Sequence, residues 1–207
     1  MADTQQDIDF TVMYATHHAF RRDLRRLAAA VEAGHRDAPR VRAGWDNFNH
    51  QLHVHHAVED SSLWPQVAAK VAGRPGDQRL LDEMEAEHAQ LDPRLAAVDT
   101  ALRDGSPDLA AHIQDLYEVM DEHFTHEETK ALPLIQDVLT VAEWKKFGRA
   151  NAGALGLKGV AVYVPWITDD VPAADRRAFL NAMPPPLKVF NKLLWKRQYD
   201  KRGLWQA

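Results

Sequence analysis

The sequence contains no cysteine, so it can form neither a disulfide framework nor a thiolate metal site. It also lacks the apolar run of roughly 18 residues that spans a bilayer. The longest candidate, residues 155–167, is interrupted by Lys158 and Pro165. The first residues contain neither the basic segment nor the apolar segment of a secretory signal peptide, so no signal peptide is expected. These absences predict a cytoplasmic protein.

The chain also has no excess of positive charge. The 25 Lys and Arg residues face 30 Asp and Glu, and the net charge of −5 argues against nucleic acid as a partner. The exception is residues 187–205, which carry +5 and leave −10 for the rest of the chain. We expect this basic, aromatic tail to pack across the protein with its lysines outward rather than to lie on anionic lipid.

Apolar residues recur every three or four positions up to about residue 140, which indicates amphipathic helices rather than strands. Glycine and proline interrupt this pattern at residues 34–39, 73–76 and 104–107. Short loops between long helices favour antiparallel neighbours. Residues 1–150 are therefore predicted to form an up-down-up-down four-helix bundle, and 151–207 a C-terminal extension of helices and loops packed on it. The four predicted helices are 8–33, 40–72, 77–103 and 107–141.

Two segments of the chain match each other at an offset of 68 residues. One reads His55-His-Ala-Val-Glu59-Asp60 and the other His123-Phe-Thr-His-Glu127-Glu128. Pro65 and Pro133 each stand ten residues after the leading histidine. The repeat indicates that the first pair of helices resembles the second pair.

A histidine and a glutamate four residues apart lie on the same face of a helix. Such a pair could be a surface contact, but two matched pairs facing each other across a bundle form a di-metal site, because a carboxylate can bridge two cations. His17 and His88 can complete the site from the other two helices. Imidazole with carboxylate suits iron, zinc or manganese. The candidate metal ligands are His17, His55, Glu59, His88, His123 and Glu127.

At this point the sequence resembles a hemerythrin-like (HHE cation-binding) domain. The resemblance implies a non-haem centre of two iron ions, joined by an oxo or hydroxo group and bridged by Glu59 and Glu127. It also implies that the centre binds oxygen, peroxide or nitric oxide. The residues that carry the resemblance are His17-His-Ala-Phe-Arg-Arg-Asp-Leu24, His55-x-x-x-Glu59-Asp60-x-x-Leu63-Trp64-Pro65, Glu87-His88 and His123-x-x-x-Glu127-Glu128-x-x-x-Leu132-Pro133.

The sequence departs from the oxygen-carrying hemerythrins on the third helix. Met84 stands where those proteins have the first of two histidines four residues apart, and a thioether is a poor ligand for iron. A seventh ligand could be His56, His18 or a water molecule. Asp60 and Glu128 could accept hydrogen bonds from ligand imidazoles, or could be solvated.

An open metal position favours reaction over reversible carriage of oxygen. The first hypothesis is therefore a di-iron protein that binds or detoxifies oxygen, peroxide or nitric oxide, with peroxidase-like, catalase-like or nitric-oxide-removing activity. The alternative is a sensor of oxygen, iron or redox state that signals through residues 151–207.

Overall fold

The computed structural model describes residues 7–172, 176–177, 179–180, 183 and 185–206. Within these ranges the chain forms helices and turns and contains no β-strand, which confirms the all-α prediction. The α-helices are α1 Thr11–Glu32, α2 Pro39–Val58, α3 Trp64–Lys70, α4 Pro75–Asp104, α5 Leu109–His126, α6 Leu132–Val138, α7 Val141–Ile167, α8 Pro185–Phe190 and α9 Lys196–Arg202. Short π-helical segments join some of them directly: Glu59–Leu63, Glu127–Ala131 and Asn191–Trp195.

The four helical segments predicted from the sequence match the observed ones to within three residues at each end. The glycine and proline signals account for this agreement. Pro75 stands at the start of α4, where its missing N–H costs no hydrogen bond. Gly105 ends the same helix in the left-handed conformation, with φ 68°, which a residue with a Cβ rarely adopts.

Contacts divide the chain into two compact units. The first comprises residues up to Phe10 together with Leu52–Ala154, and the second comprises Thr11–Gln51 together with residues from Leu155 onward. Each unit has its own buried core. The boundary at residue 150, between a bundle and an extension, stays a prediction.

Helices α4 and α5 run antiparallel in the first unit. His88 on α4 lies beside His123 on α5, whereas Arg94, further along α4, forms an ion pair with Asp115, nearer the start of α5. Large apolar side chains fill the space around these helices. Those that are almost completely buried include Leu63, Met84, Leu91, Leu102, Leu116, Met120, Phe124 and Ile135.

The sequence repeat is also a repeat of backbone conformation. The π-helical segments begin at Glu59 and at Glu127, 68 residues apart, and the next helix begins one residue before Pro65 and Pro133 respectively. A proline inside a helix has no N–H to donate, and its ring collides with the carbonyl group four residues earlier. At these two positions a wider π turn precedes the proline, whereas Pro93 lies inside the continuous helix α4. Such π turns are frequent at functional sites, and both of these begin at a candidate ligand.

In the second unit, the side chains of α1 and α7 bury a charged pair. Asp23 is completely buried and accepts hydrogen bonds from Arg22 Nε at 2.8 Å and from Trp166 Nε1 at 2.7 Å. Arg22 also donates to the carbonyl groups of Trp166 and Asp169. Burial raises the pKa of Asp23, although Arg22 and Trp166 oppose that rise. This polar network fixes the middle of α1 against the end of α7.

Replacing Asp23 with alanine is expected to lower the free energy of unfolding by about 3–5 kcal/mol, because it leaves the Arg22 guanidinium buried without its carboxylate. Denaturant unfolding of the metal-free protein measures this loss. Asp37→Ala is the matched control, since Asp37 is 75% exposed and lies 3.2 Å from Arg42; it should change the value by less than about 0.5 kcal/mol. Equal losses in the two variants would contradict the role of the buried network.

Helix α7 is interrupted at Gly156, whose φ of 63° and ψ of 175° are not helical. Glycine adopts this conformation without the steric cost that a Cβ would bring. The part of α7 up to Ala154 belongs to the first unit, and the part from Leu155 onward belongs to the second. None of the helices that the structure describes combines the length and the apolar character required to cross a membrane.

Candidate metal centre

Glu59 and Glu127, the two carboxylates predicted to bridge metal ions, are both completely buried in the first unit. Burial raises the pKa of Glu59 well above its usual range, and the nearby charges of Glu127 and Asp60 raise it further. Neither carboxylate oxygen of Glu59 accepts a hydrogen bond from any residue that the structure describes. An ionised carboxylate in such a place is costly unless a cation compensates it.

The two oxygens of Glu59 face two different histidines. Oε1 lies 3.3 Å from Nδ1 of His55, one helical turn earlier, and Oε2 lies 3.6 Å from Nε2 of His88 on α4. A carboxylate that bridges two metal ions needs this arrangement, with one oxygen directed toward each ligand group. The predicted pairing of His55 with Glu59 on one helical face is therefore present.

A second group of imidazoles lies where α2, α4 and α5 approach one another. The candidate ligand nitrogens of His56, His88 and His123 lie within 4.8 Å of one another, as do the candidate ligand atoms of His55, His56 and Glu59. The rings of His56 and His88 stack with their centroids 4.0 Å apart. His56 thus belongs to both groups, which is the geometry expected of a further ligand.

Two of these imidazoles are oriented by carboxylates that lie next to the ring nitrogen Nδ1. His88 Nδ1 lies 2.8 Å from Asp60 Oδ1, and His123 Nδ1 lies 2.9 Å from Glu87 Oε2. A carboxylate at Nδ1 keeps the proton on that nitrogen and leaves a lone pair on Nε2. The two Nε2 atoms face each other at 3.2 Å. Two lone pairs at this distance repel unless a proton or a metal cation lies near both, so the arrangement is suited to cation binding.

The structure places the remaining predicted residues as follows. His17 is completely buried on α1 in the second unit, and its role as a ligand stays a prediction. His18, the other alternative for a seventh ligand, is exposed on the same helix. Partial loss of solvent around the ring and the charges of neighbouring arginines lower the pKa of His18. Met84 is completely buried one turn before His88 and contributes an apolar side chain at that position.

Glu87 is a site residue that the sequence analysis quoted without giving it a role. One of its oxygens accepts from His123 Nδ1, and the other lies 2.7 Å from Nδ1 of His126. Burial alone would raise the pKa of Glu87, but the hydrogen bonds and charges of the two histidines lower it overall. The adjacent pair Glu87-His88 was the available signal, but its partner on α5 depends on helix packing.

Glu87→Gln is expected to weaken metal binding by about 10–100-fold, because an amide neither orients His123 nor increases its basicity as a carboxylate does. Titration of the metal-free protein with iron(II) or manganese(II) measures this change. Glu83→Gln is the matched control on the same helix, because Glu83 is half-exposed and lies 3.8 Å from His126. An affinity loss that is the same in both variants would show that Glu87 has no specific positioning role.

Comparison with known proteins identifies the family of this chain. The family model for the hemerythrin HHE cation-binding domain matches residues 9–135, which is more than half of the chain. The match confirms the resemblance stated above. It also confirms the predicted fold class, an all-α hemerythrin-like bundle with up-down packing, followed by C-terminal helices. Comparisons with curated proteins and with solved structures each found no significant match.

Proposed function

Because the chain belongs to the hemerythrin HHE cation-binding family, we propose that it is a non-haem di-iron protein that binds or detoxifies oxygen, peroxide or nitric oxide. One observation supports this proposal above the others. The buried Glu59 directs each oxygen toward a different histidine and accepts no hydrogen bond from the described residues. That geometry suits two cations that share one carboxylate.

The chemistry of the donor atoms favours iron. All candidate ligands offer imidazole nitrogen or carboxylate oxygen, and the chain has no thiolate that would select a softer metal. In the proposal, five residues of the first unit hold the metal ions, and His17 joins them on the sequence argument alone. The position of His56 favours this residue as the seventh ligand. The five residues are His55, Glu59, His88, His123 and Glu127.

Two bound iron ions would supply one electron each, which would allow a small oxidant to be held or reduced by two electrons. The protein residues provide the surroundings for that chemistry. Asp60 and Glu87 hold protons at Nδ1 of His88 and His123 and so keep the Nε2 lone pairs available. Buried apolar side chains such as Met84 and Phe124 exclude water from the site.

Peroxide removal and nitric oxide removal by the iron-loaded protein test this function. Activity in the wild type should be lost in His55→Ala and kept in His53→Ala, whose exposed imidazole lies two residues away. Failure of iron-loaded wild type to react with oxygen, peroxide or nitric oxide would contradict the proposal. The sensor alternative predicts instead that hydrogen exchange in residues 151–207 changes with the iron state.

A further inference from the structure

The C-terminal helical segment from α8 to α9 is attached to the second unit through one of its faces. Asn191, Trp195 and Tyr199, spaced four residues apart, are all buried. The chain after α9 is held as well: the Trp205 N–H donates to the carbonyl of Arg40 at 3.0 Å, and the Trp205 ring covers the Cα of Gly44 so closely that a Cβ there would collide with it. The segment therefore has a fixed inner face, and its opposite face is exposed.

That outer face is apolar. Val189, Phe190, Leu193 and Leu194 are 55%, 54%, 69% and 46% exposed. Residues four apart are neighbours on a helix surface, so 189 with 193 and 190 with 194 form one continuous group, which we call the apolar patch. The expectation that this tail packs with its lysines outward stays a prediction, and exposed apolar side chains lie beside those lysines. A contiguous group of exposed large apolar side chains is typical of an interaction site.

Basic side chains accompany the apolar patch. Lys188 and Lys192 lie within the same turns of the helix, and Lys196 and Arg197 follow in the next turn. The segment 185–206 contains one acid, Asp200, and it is paired with Lys196. The tail thus has a net charge of +5, whereas the rest of the chain carries −10. The positive charge is concentrated around the exposed apolar group.

We propose that the apolar patch docks this protein on the surface of an anionic phospholipid bilayer. An apolar helix face accompanied by lysines suits the interface between headgroups and acyl chains, because long lysine side chains can extend to the phosphates while the apolar residues enter the bilayer. A symmetric contact with a second copy would bring two tails of charge +5 together. Charge complementarity therefore favours lipid as the occupant.

Vesicle sedimentation of the full-length iron-loaded protein tests the proposal. Wild type should bind vesicles of equal parts phosphatidylcholine and phosphatidylglycerol, and should not bind phosphatidylcholine alone. The double variant Leu193→Ser, Leu194→Ser and the double variant Lys192→Glu, Arg197→Glu should each bind at least about tenfold more weakly. High salt should also release the wild type, because the Debye length falls from about 10 Å at 0.1 M to about 3 Å at 1 M.

Leu157→Ser is the matched control, because Leu157 is an exposed leucine outside the apolar patch; it should bind the anionic vesicles as wild type does. Iron content and thermal unfolding should be the same in every variant, which separates this test from that of the metal site. Absence of wild-type binding to anionic vesicles would overturn the proposal. So would self-association that disappears in the double leucine variant while no vesicles are bound, since the occupant would then be a second copy.

Discussion

Glu59→Gln is expected to prevent loading of both iron ions and, at the same time, to stabilise the metal-free protein. The carboxylate of Glu59 is buried with Glu127 nearby, and burial and that charge together disfavour its ionised form. Glutamine keeps the size of the side chain and removes the charge. The cation then loses its shared ligand, while the folded protein without metal loses a source of repulsion.

The free energy of unfolding of the metal-free protein should rise near neutral pH, because glutamine is neutral, whereas Glu59 must take up a proton on folding or be buried as an ion. Denaturant unfolding gives the stability, and metal analysis gives the iron content. Glu122→Gln on α5 is the control, because Glu122 is exposed and its loss should change neither quantity. A Glu59→Gln protein that still holds two irons would show that Glu59 is not a bridging ligand.

Iron loading is expected to reverse the pH dependence of stability, and this is the second large effect. Because the pKa of Glu59 is raised in the folded metal-free protein, that protein binds a proton that the unfolded chain has already released. Glu59 therefore does not lower the free energy of unfolding at pH values below the usual glutamate pKa. As pH rises above that pKa, Glu59 lowers the free energy of unfolding progressively. Bound iron requires the ionised carboxylate, so in the loaded protein acid weakens the site instead.

Thermal unfolding of the metal-free and iron-loaded forms between about pH 5 and 8 measures this reversal. The loaded form should gain about 4 kcal/mol when free iron exceeds its dissociation constant a thousandfold. That gain should shrink toward acid pH. In metal-free Glu59→Gln, the part of the pH dependence of stability that Glu59 causes should disappear. Parallel pH profiles for the two forms of the wild type would contradict the account.

The sequence alone predicted much of this site because its repeat is local. His55 with Glu59 is a contact between successive helical turns, and the duplicated spacing predicts a second pair at 123 and 127, whose role as ligands stays a prediction. The π turns at Glu59 and Glu127 were not predicted, because an argument from helical periodicity assumes the same number of residues per turn along the whole helix. Pro65 and Pro133 follow these π turns, but Pro93 lies inside the continuous helix α4, so proline alone does not predict where a helix widens.

Contacts between distant segments could not be predicted in the same way. Glu87 is about 100° around its helix from His88, so its contact with His123 depends on how α4 and α5 pack. Likewise, apolar residues occur on every side of residues 187–195, and composition does not tell which of them face inward. The structure shows that Trp195 is buried while Leu193 is exposed.

The most direct test of the central claim is metal analysis of the purified protein, combined with an ultraviolet-visible spectrum recorded in air. The account predicts two irons per chain and oxo-to-iron charge-transfer bands in the near ultraviolet. It also predicts that Glu59→Gln loses both the metal and the bands. A single zinc ion per chain with no near-ultraviolet bands would contradict it.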